Sequence, residues 1–159
     1  MNIFKKFYNW ITAGWKYQPT VACLAAYIKV GDLSALNYWQ KEYVPWTKDI
    51  DADDEWQPAD VSILKRGGDC EDIAILYYEI IRRWKGWKAN IFVMLYTPPP
   101  GHAVVYFETP DKKCGWIDGN IYYCKNYHDI IKFYDGLGNN INTFYFANKL
   151  GEIIKGLDK

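Results

Sequence analysis

Histidine is scarce in this 159-residue chain, with His102 and His128 the only two. Imidazole chemistry, if the chain performs any, must use one of them. Net charge is missing as well, since 19 Lys and Arg face 19 Asp and Glu. A balanced chain carries no electrostatic footprint for nucleic acid and no polybasic face for a membrane. No apolar run approaches the ~20 residues that span a bilayer. Cysteine is limited to Cys23, Cys70, Cys114 and Cys124, without a CxxC pair or the two-by-two spacing of structural zinc. An even count permits two disulfides, but Cys70 stands where a reactive thiol would, so the expectation is a reduced protein. The aromatic, lysine-bearing N-terminus superficially suggests an export signal. Tyr8, Asn9, Thr12 and Lys16 interrupt any apolar h-region, and no small-residue cleavage site follows. A cytoplasmic protein without a membrane span is expected.

What is present is apolar and aromatic. Half of the residues are hydrophobic, and eight Trp and fourteen Tyr supply large core side chains. The length suits one domain over residues 1–159, with a helical part over 1–47. Ile3, Phe4, Phe7, Trp10, Ile11 and Trp15 recur at helical spacing, the pattern of a helix packed on the core. Helices are also predicted over Val21–Val30, Ala35–Tyr43 and from Pro58. Between them, Asp49, Asp51, Asp53, Asp54 and Glu55 hint at a calcium loop. Asp54 occupies the position of the turn glycine and no closing glutamate follows, so a solvated acidic loop is expected. Cys70–Trp84 reads as a buried helix ended by Gly86. The period then changes to two: Lys88–Tyr96, His102–Glu108 and Lys113–Asp118 read as strands joined by short turns. Ile121–Cys124 and Thr143–Ala147 read as further strands, Tyr127–Tyr134 as a helix, and the tail from Lys149 as fraying. Helices first and antiparallel strands later define an α+β class.

The chain is organised around Arg66-Gly67-Gly68-Asp69-Cys70-Glu71-Asp72. Two glycines break the preceding helix, and a lone cysteine opens the next. A thiol there meets the free N–H groups and positive end of the macrodipole, which favour thiolate. The flanking carboxylates oppose ionisation, so a histidine, a metal or both must offset them. His102 begins a strand directly after Gly101, which places its ring at an end of the sheet. Asp118 ends the neighbouring strand. If the two strands pair, imidazole and carboxylate share that end, and Cys70, His102 and Asp118 take the roles of nucleophile, base and orienter. Each has a structural alternative: a core cysteine, a filler histidine, a turn aspartate. His128 lies in a polar stretch and has no assigned role.

Gly68-Asp69-Cys70-Glu71-Asp72, followed by Gly101-His102-Ala103-Val104 and Trp116-Ile117-Asp118, resembles the transglutaminase-like superfamily, closest to the bacterial transglutaminase-like cysteine proteinases. The resemblance covers a core of about Trp56–Asn120. It implies a papain-like fold with the cysteine helix packed on an antiparallel sheet. It also implies Cys70 as nucleophile, His102 as general base and acid, and Asp118 as orienter. In calcium-dependent members the acids flanking the cysteine bind the ion, and the matching positions are Asp69 and Glu71. Their structural alternative is an N-cap at Asp69 and a dipole-favoured first turn at Glu71 and Asp72.

The function expected is thiol-dependent hydrolysis of a peptide or amide bond through an acyl-enzyme, with a protein or peptide as substrate. The Cys70 N–H supplies one oxyanion donor. By analogy an upstream Trp or Gln supplies the second, with Trp56 and Gln57 named first and Trp39 and Trp46 as further candidates. No cofactor is required for this chemistry, and calcium is the one candidate ion. Transamidation uses the same residues with an amine in place of water. A catalytically inactive peptide-binding module is the reading from a different class.

Overall fold

The computed structural model describes residues 20–48 and 56–156; the helix expected over 3–16 and the acidic loop Asp49–Glu55 lie outside them. Four helices come first among the described residues: α1 (Val21–Tyr27), α2 (Leu33–Tyr43), α3 (Ala59–Lys65) and α4 (Cys70–Ile81). Strands β1 (Lys88–Tyr96), β2 (His102–Glu108), β3 (Cys114–Asp118) and β4 (Asn120–Cys124) follow, then α5 (His128–Gly136), β5 (Ile141–Ala147) and β6 (Ile153–Gly156). All six strands form one antiparallel sheet in the order β4-β3-β2-β1-β5-β6. The α+β class expected from the order of periods is the class observed.

The two-residue period of the strands divides the core. Ile91, Val93, Ala103, Val105, Phe107 and Ile117 pack with the buried faces of α1 to α4. Phe92, Met94, Val104, Tyr106, Trp116 and Phe144 pack on the opposite face with Ile130, Ile131 and Tyr134 of α5. The sheet is thus covered on both sides. Side chains of neighbouring even and odd positions at its ends are handed to different layers, and the site below depends on this.

Helix boundaries follow local hydrogen bonding. Asp32 accepts from the Ala35 N–H at 2.9 Å, so α2 starts at Leu33, two residues before its predicted start. The cysteine helix stops at Ile81, short of Trp84, because the chain tightens there. The N–H groups of Arg83 and Trp84 donate to the carbonyls of Ile80 and Ile81, three residues back. The tail does not fray throughout: Ile153–Gly156 adds an edge strand to β5. No helix among the described residues is long and apolar enough to cross a membrane.

Candidate active site

Cys70 is presented by a cap and two glycines. Arg66 closes α3 in the left-handed region, at φ 57°. Asp69 caps α4, its carboxylate accepting from the Asp72 N–H at 3.5 Å. A side chain on Gly68 would place its Cβ 2.5 Å from that of Asp72, so only glycine fits between the incoming strand of chain and the first helical turn. The Gly68 carbonyl accepts from the Thr47 N–H at 2.9 Å and the backbone bridges to Trp46, which lines the same cleft as Cys70.

His102 and Asp118 meet as the predicted strand pairing requires. Val105 pairs with Ile117 in the β2–β3 ladder, so Asp118 and His102 share the α5 face as diagonal neighbours at the end of the sheet. His102 Nε2 lies 3.0 Å from Asp118 Oδ2. The carboxylate is thereby the acceptor of Nε2–H, which leaves Nδ1 as the basic nitrogen. A third group, unanticipated from sequence, completes this cluster: the Tyr134 hydroxyl of α5 donates to the same Asp118 Oδ2, and its ring meets the imidazole edge-on at 5.5 Å. Burial pushes the Asp118 carboxyl upward, but the hydrogen bond and charge of His102, with the Tyr134 hydroxyl, outweigh it and hold the group below its ordinary value. The hairpin after Asp118 is tied to α2, where Asn37 Nδ2 donates to the Gly119 carbonyl at 3.3 Å and the Tyr77 hydroxyl donates to Asn37 at 2.7 Å.

Cys70 approaches from the other layer. It packs with the α4-side core, and Cys70, His102, Asp69, Glu71, Trp46 and Trp56 together line a cleft of about 750 Å³. Its thiol is not hydrogen-bonded to His102 among the described residues; Sγ donates to Glu71 Oε2 at 3.1 Å. This corrects the expectation of a thiolate-favouring environment. Burial first, then the Glu71 carboxylate, push the Cys70 thiol far up, and only the Ala103 backbone pulls it down. Glu71 is itself 6% exposed, so its charge acts with little water between.

The remaining predicted positions are divided. Asp72, read as a first-turn acid, is 1% exposed and clamps the Trp56-Gln57 segment. Its two oxygens accept from the Gln57 backbone N–H at 2.8 Å and from Gln57 Nε2 at 2.6 Å. The Gln57 amide therefore faces Asp72, while Trp56 lines the cleft. Trp39 is buried in the helical core. Asp69 and Glu71, the candidate calcium ligands, are occupied as helix cap and thiol acceptor. Calcium takes six to eight oxygens, and no group of three or more His, Cys, Asp or Glu among the described residues could hold a metal. All four cysteines are free thiols, with Cys114 and Cys124 cross-strand partners whose sulfurs lie 3.5 Å apart. His128 opens α5 against Tyr127, away from the cleft-lining residues.

No protein-family model matches the chain, and no curated protein matches it. Among solved structures, Legionella pneumophila LapG is similar, with 16% identity and a TM-score of 0.53 over 98% of this chain and 90% of that one. The same protein treated with EGTA gives 14% identity and 0.53 over the same shares. Its calcium-bound form gives 16% identity and 0.49 over 99% and 94%. At these identities the likeness shows a shared fold and nothing finer.

Proposed function

We propose that this chain is a cysteine hydrolase of transglutaminase-like type that cuts a peptide or amide bond through an acyl-enzyme on Cys70. The observation that carries the reading is the His102–Asp118 pair, at 3.0 Å, whose imidazole lines one cleft with a cysteine at a helix N-terminus. His102 Nδ1 takes the thiol proton once Sγ turns away from Glu71. The sulfur then forms a bond to the carbonyl carbon, and the Cys70 N–H stabilises the developing oxyanion. Collapse of the tetrahedral species breaks the C–N bond, and the imidazolium gives its proton to the leaving amine. Water, deprotonated by His102, attacks the thioester; the acid leaves and the thiol is restored. Asp118 keeps Nε2–H directed away from the thiol and stabilises the imidazolium in both halves. Of the two proposed second oxyanion donors, Trp56 lines the cleft with Cys70, whereas the Gln57 side-chain amide is held on Asp72.

One observation favours a peptide-binding module instead: the Cys70 thiol donates to Glu71 rather than to His102, and burial with that carboxylate raises its pKa. Iodoacetamide labelling of each cysteine across pH, in wild type and His102→Ala, separates the two readings. Under the hydrolase reading Cys70 labels faster than buried Cys114 near neutral pH and loses that advantage in His102→Ala. Equal rates in both proteins favour the binding module.

A further inference from the structure

We infer that the substrate side chain next to the scissile carbonyl is a large apolar one, held in a second cavity of about 290 Å³ that Cys70 also lines. The inference rests on the reading of Cys70 as nucleophile and adds the substrate class to it. Trp46, Cys70 and Ala103 belong both to this cavity and to the larger cleft that holds His102. A chain lying across Cys70 therefore meets two recesses, and the smaller one is bounded in part by Cys70 itself. Its volume lies just below the roughly 300–1,000 Å³ of small-molecule sites, which suits one side chain.

The walls are Pro45, Trp46, Ile73, Ala74, Val104 and Ile117. The polar groups among them already have partners. Gln40 donates from Nε2 to the Val44 carbonyl at 2.7 Å and accepts at Oε1 from the Tyr77 hydroxyl at 3.1 Å. Asp118 Oδ2 accepts from both His102 and Tyr134. Lys41 reaches Asn120 Oδ1 at 3.2 Å, on the exposed side. A glutamine or aspartate side chain entering here would leave water and find the Gln40 amide taken at both ends, whereas a leucine or phenylalanine leaves nothing unpaired.

The test uses peptidyl chloromethyl ketones that differ only in the residue beside the ketone: Leu, Phe, Gln, Asp or Gly. Alkylation of Cys70 is followed by intact mass and peptide mapping. Leu and Phe reagents should react at least about tenfold faster than Gln or Asp reagents. The ratio should shrink in Trp46→Ala, whose indole is 60% exposed and lies outside the buried core. Ratios within one protein are compared, so a smaller folded fraction cancels. Equal rates, or faster reaction of Gln, Asp or Gly reagents, overturn the inference and leave the nucleophile in place. If iodoacetamide labels Cys70 rapidly but no peptidyl reagent does, the hydrolase reading fails and this inference falls with it.

Discussion

Replacing Glu71 by Gln should make Cys70 more reactive, although it removes a residue beside the proposed nucleophile. The carboxylate accepts the thiol hydrogen bond at 3.1 Å and, nearly excluded from water, adds a negative charge that opposes thiolate. A hydrogen bond to a charged group is worth about 1.5–3 kcal/mol. At about 1.4 kcal/mol per pKa unit, its loss lowers the thiol by about one to two units. The thiolate fraction below the pKa then rises about 10- to 100-fold. Intrinsic nucleophilicity falls with a Brønsted slope of about 0.4–0.5, so the net gain is about 3- to 16-fold. The assay is iodoacetamide labelling of Cys70 at several pH values between 6 and 8, with Cys23, exposed and away from the cleft, as internal reference. Thermal melting run alongside checks that the variant remains folded. A folded Glu71→Gln protein that labels no faster than wild type would refute the assignment of Glu71 as the group that restrains the thiol.

Tyr134→Phe removes one of the hydrogen bonds holding the Asp118 carboxyl below its ordinary value. Because that value is depressed in the folded chain, the His102–Asp118 pair persists as pH falls and is lost only on passing through it. Without the hydroxyl the loss should begin at higher pH, seen as an upward shift of the acid limb of the Cys70 labelling profile. Asp72→Ala leaves the Gln57 backbone and side-chain N–H groups without their acceptor and should cost about 2–4 kcal/mol in urea unfolding. Gly101→Ala would bring a Cβ within 2.3 Å of the Met94 carbonyl oxygen, so β2 must shift at its entry. The expected cost is about 1–3 kcal/mol, read as a lower unfolding midpoint, together with slower Cys70 labelling as His102 moves with its strand.

The parts of this site that were legible in the sequence are those set by local chemistry. Two glycines, a capping acid and an apolar run announce α4 at Cys70, and the alternation in β1 and β2 fixes which residues share a face. The pairing of His102 with Asp118 followed because both lie at strand ends next to a glycine. Contacts made across sequence distance left no such mark. Asp72 looks like any acid in a first helical turn, and its hold on Gln57, fifteen residues away, exists only in three dimensions. Tyr134 is one aromatic among many until α5 crosses the sheet below Asp118. The edge strand Ile153–Gly156 was missed because Ile153 and Ile154 are exposed, so no buried alternation announces it. The direction of the Cys70 thiol depends on which acceptor its rotamer meets, and the sequence offers both Glu71 and His102.

The central claim is that Cys70 carries an acyl group that His102 helps to transfer to water. Reaction with N-acetyl-leucine p-nitrophenyl ester, quenched in acid and mapped by mass spectrometry, tests it most directly. The account predicts the acyl mass on Cys70 of wild type within one turnover, no adduct at position 70 in Cys70→Ala, and slower formation and slower loss of the adduct in His102→Ala. Release of nitrophenol at equal rates from wild type and Cys70→Ala, with no acyl mass on Cys70, would contradict it.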